Sequence, residues 1–353
     1  MKKLLLATIL ITLIVFLYLV LIPNPIDTAA YIPPEPPPLT GVTTPNELLK
    51  YADRLAMGAI DGPEDVDVDS QGRIYGGGQD GRIIRILPDG GTEVFADTGG
   101  RPLGLHFDAH GNLIVADAWK GLLSIDPQGQ ITTLATQAEG IPFRFTNDLD
   151  ISADGTIYFS DASSRYSQPE YMLDGLEARS HGRLLSYRPA TQEVEVLIRD
   201  LYFANGVALS AAEDFVLVNE TWRYRIVRYW LKGPEQGTHE IFIDNLPGFP
   251  DGVSGNRQGV FWVALPSPRN PFLDRIHPYP WIKNMVAKLP ACLRPKPVDY
   301  GFALALDEQG NITRSLHDTD GTVIREITSV QQHGRDLYFG TLHNRWVGRL
   351  ALP

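Results

Sequence analysis

LDISADGTIYFSD, residues 149–161, is a β-hairpin in thirteen letters. Leu149 and Ile151 alternate with Asp150, as a half-buried strand requires. Asp154-Gly155 supplies the reversal, and Ile157, Tyr158 and Phe159 open a second strand rich in β-formers. The same unit returns as VDVDSQGRIYGGG from Val66 and LHFDAHGNLIVAD from Leu105. Weaker copies are VALSAAEDFVLVNE from Val207, VSGNRQGVFWVAL from Val253 and VQQHGRDLYFGTL from Val330. A third strand often follows, as in GRIIRILPDGG from Gly81, GLLSIDPQGQ from Gly121 and GRLLSYRPATQE from Gly182. Six such units are the signature of sheets repeated radially, each hiding its faces against its neighbours. The fold expected is all-β, a six-bladed β-propeller over residues 41–353. A pair of β-sandwiches fits the shared unit less well.

The repeat also aligns four polar residues. Eight positions before the turn glycines Gly72, Gly155 and Gly259 stand Glu64, Asn147 and Asp251, and eight before Glu213 stands Asn205. The same count from Gly111 reaches apolar Leu103. Equivalent positions just ahead of the inner strands lie at one mouth of a propeller's central channel. Two carboxylates and two amide carbonyls, with no thiolate or imidazole, form a hard-oxygen set suited to Ca²⁺ rather than Zn²⁺ or Cu²⁺. Asn-Asp, Asn-Gly and Asp-Gly are also ordinary turn formers. Glu64 after Pro63 has no such turn role.

Composition bounds the alternatives. The chain has 353 residues, 43% hydrophobic, with 31 Lys and Arg against 42 Asp and Glu, a net charge of −11. So acidic a chain lacks the basic footprint that binding nucleic acid needs. One cysteine, Cys292, excludes an internal disulfide and a multi-cysteine zinc site. No Gly-x-Ser-x-Gly elbow is present. GGGQDG at 76–81 lacks the Lys-Ser/Thr and helix of a phosphate loop.

The N-terminus reads separately. Residues 4–22 are apolar except for Thr8, Thr12 and Tyr18, long enough as a helix to reach about 28 Å across a bilayer. Lys2 and Lys3 in the tip, residues 1–3, keep that end cytoplasmic by the positive-inside rule, so residues 4–22 are expected as a transmembrane signal anchor. A cleaved signal peptide is the alternative, with Thr28-Ala29-Ala30 its only small-residue site. Residues 23–40 read as a proline-rich linker. The propeller is then expected on the outer side of the membrane: periplasmic, lumenal or extracellular.

At these motifs the sequence resembles the calcium-dependent propeller superfamily of senescence-marker/gluconolactonase proteins, squid-type phosphotriesterases, paraoxonases and strictosidine synthase-like proteins. Within it, the sequence resembles the strictosidine synthase-like branch, with the animal adipocyte plasma membrane-associated proteins. RPLGLHFDAHGNLIVADAWKGLL (101–123), FTNDLDISADGTIYFSDASSRY (145–166), SHGRLLSYRP (180–189) and FWVALPSPRNPFLDRIHPYPWIKNM (261–285) carry the likeness. The resemblance implies Glu64, Asn147, Asn205 and Asp251 as ligands of a catalytic calcium. It also implies hydrolysis of a small ester or lactone, with Asp251 as base or nucleophile. A non-enzymatic module with a structural calcium, and a strictosidine synthase-type condensing enzyme, are the competing readings. The synthase's catalytic glutamate has no counterpart that the sequence identifies. The paraoxonase disulfide cannot form, and its histidine pair has at most a lone candidate in His106.

Two insertions are expected to cap the mouth. Residues 163–181 suggest a short helix near Tyr171–Ala178. Residues 266–300 carry Arg269, Arg275, Lys283, Lys288, Arg294 and Lys296 among prolines and aromatics. They read as a substrate lid, a lipid-facing surface in which Trp281, Ile282, Met285 and Val286 alternate with cations, or a packed loop.

Overall fold

The computed structural model describes residues 1, 3, 6, 8, 10, 13, 17–19 and 21–352. Six four-stranded antiparallel sheets follow one another around an axis. Each blade begins with the strand that the hairpin repeat placed first. In chain order these inner strands are Val66–Val68, Pro102–Phe107, Thr146–Ile151, Ala204–Leu209, Val253–Gly255 and Ile327–His333. Each pairs with the second strand of its hairpin, Leu149 facing Phe159 and Val207 facing Val218, for example. The left-handed turn residues are Gly72, Gly111, Gly155 and Gly259, with Glu213 taking the same conformation (φ 52°) in the fourth copy. That is why counting from Glu213 kept the register.

The ring closes through the termini. The outermost strand of blade six is Asp53–Leu55, which pairs with Val347–Ala351, Asp53 opposite Arg349. Apolar residues of adjoining blades fill the seams: Ala208, Val253, Phe261 and Leu304 pack in one cluster, and Val66, Ile84, Tyr338 and Val347 in another. Carboxylates also clasp neighbouring inner strands. Asp65 and Asp67 accept the backbone N–H of Leu105 and Phe107, and Asp148 and Asp150 those of Val207 and Leu209.

The two insertions leave from the same end, after the second strands of blades three and five. They fold as α1 (Tyr171–Glu177), and as α2 (Pro271–Ile276) and α3 (Pro280–Ala287). Ala178 caps α1 in the left-handed conformation. Asn270 caps α2, its carbonyl accepting from the backbone of Phe272 and Leu273. Lys283, an outward cation only in the lipid-facing reading of the insertion, is fully buried and donates to the Ala29 carbonyl at 2.5 Å. The stretch before the propeller lies across these helices. Ala29 N–H bonds Glu177 O and Tyr31 N–H bonds His277 O, while Arg269 reaches Pro34 O and Asn245 reaches Glu35 O. The Arg223 guanidinium lies 3.9 Å from the Tyr31 ring and 3.5 Å from the Tyr202 ring.

No helix among the described residues is long and apolar enough to cross a membrane. The segment 4–22 expected as an anchor falls largely outside the described residues, as does Lys2.

Candidate functional site

Each predicted polar residue owes its place to how its inner strand begins. In blades three and four the strand bulges between Thr146 and Leu149 and between Ala204 and Val207, which brackets Asn147 and Asn205. In blades one and five Glu64 and Asp251 precede the first paired residue. Glycines then let neighbouring blades close in. A Cβ on Gly206 would stand 2.2 Å from Val253 N, and one on Gly252 would stand 2.4 Å from Thr328 O. The contacts they permit are Gly206 N–H to Asp251 O and Gly252 N–H to Thr328 O.

Glu64, Asn147, Asn205 and Asp251 line one cavity at the channel mouth, together with Leu103 and Thr328. All six blades therefore contribute, and the two not predicted to carry ligand oxygens supply a leucine and a threonine. The same four residues form the floor of a larger pocket above, about 790 Å³ counting its open mouth. Its walls are Phe145, Tyr171, Met172, Phe203, Trp222, Phe249 and Leu273, and Pro266, Asn270 and Lys296 come from the 266–300 insertion.

The polar residues are tied from behind. Asn219 donates to Asp251 O at 2.5 Å, and Thr221 donates to Pro250 O at 2.7 Å while accepting from Asn205 Nδ2 at 3.2 Å. Asn205 spends its amide N–H on Thr221, so its carbonyl oxygen stays available. Glu64 accepts from Arg101 at 2.7 Å through Oε2, and that buried guanidinium also bonds the Gly62 and Gly77 carbonyls. The Asp251 carboxyl is pushed well above the ordinary carboxylate range, first by burial and then by the charge of Glu64. Burial raises Glu64 too, against the pull of Arg101. Below them Asp65 rises to about 7 and Asp148 well above its usual range, again by burial first.

Two crowded buried carboxylates flanked by two amide groups make a donor set that a hard cation fits, since one would neutralise the repulsion that raises Asp251. Among the described residues no group of three or more His, Cys, Asp or Glu is placed to hold a metal, and the four-residue set contains only two such residues. His106 lies further along the channel, 3.4 Å from Asp67 and 3.6 Å from Asp150, with Arg257 also on Asp150 at 2.6 Å. It does not line either cavity at the mouth.

The aromatic walls went unread in the sequence, although a signal was there. Phe145, Phe203 and Phe249 each stand two residues before Asn147, Asn205 and Asp251. At that offset in blade two stands Arg101, which instead reaches across to Glu64. Tyr171 had no such marker, because its helix interrupts the repeat. Burial and the charges of Glu326, Glu64 and Asp251 push its hydroxyl up to about 12.

The family described as Strictosidine synthase matches residues 147–234, and Strictosidine synthase-like, N-terminal matches residues 41–86. The human protein named Adipocyte plasma membrane-associated protein is 38% identical, across 95% of this chain and 86% of its own. Among solved structures, a gluconolactonase of Xanthomonas campestris superposes with a TM-score of 0.60 at 17% identity, over 94% of this chain and 99% of its own. The calcium-binding protein regucalcin of Agrobacterium tumefaciens does so at 0.59 and 15%, over 85% and 91%. At these identities the two structures establish the shared fold.

Proposed function

The chain belongs to the strictosidine synthase-like family that includes the adipocyte plasma membrane-associated proteins, and on that premise we propose that it is a membrane-anchored, calcium-dependent hydrolase of small esters or lactones. One observation carries the reading: Glu64, Asn147, Asn205 and Asp251 form the polar floor of an otherwise aromatic pocket. Those four would hold the calcium, which when bound supplies Lewis-acid polarisation of a carbonyl oxygen and a more acidic bound water. The regucalcin named above is titled a calcium-binding protein, which supports that choice of ion.

The chain's own residues do the rest. Phe145, Phe203, Trp222 and Phe249 take the apolar part of the substrate and exclude water from the floor. Asp251, its backbone carbonyl fixed by Gly206 and Asn219, presents its carboxylate as general base or nucleophile. Arg101 holds Glu64 in place and opposes the burial that raises its carboxyl. The name of the human relative supports membrane association, and the apolar residues 4–22 behind Lys2 and Lys3 support an anchor with the N-terminus cytoplasmic and the propeller outside.

Turnover of aryl esters and lactones by the full chain, measured with calcium, with chelator and in Asp251→Ala, tests the proposal. Loss of at least about a hundredfold in both perturbed cases is expected. Turnover indifferent to both would reject it. The ion pair of Arg101 with Glu64 favours a second reading, since a floor so tied can persist as structure alone. Calcium-dependent stability without turnover on any ester or lactone would select that reading.

A further inference from the structure

The outer side of the 266–300 insertion exposes several large apolar side chains. Phe272, Tyr279, Trp281, Leu293 and Val298 are 49%, 51%, 61%, 65% and 51% exposed. Among the described residues, five large exposed apolar side chains thus fall within 35 positions, against ten in the other 295 positions from 23 to 352, four of which (Val42, Leu48, Tyr51 and Met57) cluster within 42–57. In an acidic chain the insertion carries, against Asp274 and Asp299, six Lys and Arg, of which Arg269 and Lys283 are buried. Arg275 is exposed, and Lys296 is exposed where it lines the pocket.

Its position adds direction. Along α3, Trp281, Met285 and Lys288 are spaced i, i+4, i+7 and share one side, opposite buried Lys283 and Val286. On that side the N-terminal segment makes contact: Tyr18 Oη donates to Lys288 O at 3.1 Å and Lys288 Nζ to Leu19 O at 2.6 Å. Leu10, Leu13, Leu17 and Leu21 of that segment are also exposed, by 42–72%. The inner side of the same insertion, through Pro266, Leu273 and Lys296, walls the pocket.

We propose that this outer face is seated in the headgroup layer of an anionic bilayer, beside the anchor, so that the pocket opens at the membrane surface and draws its substrate from the lipid. Tryptophan and tyrosine favour that depth, and each cation near an anionic surface adds to the attraction. The inference rests on the anchoring and the ester or lactone chemistry proposed above.

Cys292 lies exposed within this face and is the chain's one cysteine, so it accepts an environment-sensitive fluorophore without other changes. The full chain is reconstituted into phosphatidylcholine vesicles containing phosphatidylserine. The label at Cys292 is expected to shift to the blue and to be quenched by lipid-borne nitroxide. A label at Gln128→Cys in a Cys292→Ser background, in a turn at the opposite end of the propeller, is expected to report water. A second variant, Trp281→Glu with Leu293→Glu, is expected to return the Cys292 label to water. It should also slow turnover of a long-chain ester in the vesicles several-fold while leaving a water-soluble ester unaffected. A Cys292 label as aqueous as that at Gln128, in chain that survives a carbonate wash, overturns the seating and leaves the anchor standing. Chain released by the wash overturns both. Hydrolysis enters only the last comparison, so a chain without esterase activity that still buries the label supports the seating and rejects the chemistry.

Discussion

Arg101 shows how a single residue can support a site without lining it. It is 3% exposed, and its guanidinium is shared among Glu64 and the Gly62 and Gly77 carbonyls. Replacing it with Met leaves the Glu64 carboxylate buried without a counter-charge, and breaking such pairs destabilises by about 3 kcal/mol or more. Denaturant unfolding of Arg101→Met should show that loss, and Arg101→Met with Glu64→Gln should recover part of it. Equal stability of the single and double variants would mean that the charge is not what Arg101 compensates. His317 carries a second prediction. It is fully buried, stacks on Phe302 at 4.4 Å and meets Tyr300 Oη at 3.0 Å through Nδ1, and burial pushes it down to about 4. Its folded pKa lies below the unfolded value of about 6.5, so the unfolded chain takes up the proton first. Stability is full above that value and falls toward pH 4, by about 1.4 kcal/mol per pH unit at most. His317→Gln should flatten that part of the pH–stability curve. At this scale the sequence exposed the four floor residues because they share an offset from a turn. Arg101 and His317 were illegible, since their partners lie 37 and 17 positions away and no repeat pairs them.

Short elements shape the pocket more than long ones, and α1 is the clearest case. It is seven residues, pinned by Ser163 Oγ on Asp174 at 2.7 Å and by His181 and Arg165 on Glu177. Its Gly175 lies against a pocket wall: a Cβ there would stand 2.8 Å from the Trp222 ring. Two effects oppose one another in Gly175→Ala. Helix propensity favours alanine by about 1 kcal/mol, while overpacking against a fixed ring costs about 1–3 kcal/mol. Because Trp222 is itself held by Phe203 and Phe249, overpacking should win. The variant should melt lower than the parent and raise KM more than it lowers kcat. A higher melting temperature would show that α1 can shift freely. Helix α1 was legible from its non-repeating stretch. Helices α2 and α3 read only as a proline-rich insertion, because six and eight residues are too few to display a helical period. The prolines Pro271 and Pro280 that marked the insertion are in fact first-turn residues. Asp53–Leu55 was illegible for a different reason: a three-residue strand that closes a ring is defined by its partner, Val347–Ala351, and by nothing in its own pattern.

The whole ring is what gathers the acidic axis. Glu64 and Asp65 come from blade one, Asn147 and Asp148 from blade three, Asn205 from blade four and Asp251 from blade five. Glu64 and Asp251 are not on adjoining blades, so the repulsion that adds to burial in raising Asp251 is borne by packing that spans several blades. In the proposed mechanism a calcium ion held by the floor residues would relieve that repulsion and tie four blades at once. Linkage then fixes the size of the effect: at a free-calcium concentration about 100 times its dissociation constant, stability rises by about 2.7 kcal/mol. For a chain of this size that corresponds to roughly 4 °C in Tm. The shift should be a single cooperative one rather than a separate early transition, because no blade that supplies a floor residue can open without losing the ion. Asp251→Asn separates the two contributions. Burial raises the folded pKa of Asp251 above its unfolded value, so its stabilising form is the protonated one, and above the unfolded pKa the group works against the fold. Without calcium the Asn variant should therefore melt at or above the parent, and with calcium it should gain almost nothing. Calorimetry of both proteins in chelator and in calcium distinguishes the cases. A calcium-dependent rise of equal size in the parent and in Asp251→Asn would place the ion somewhere other than the channel mouth.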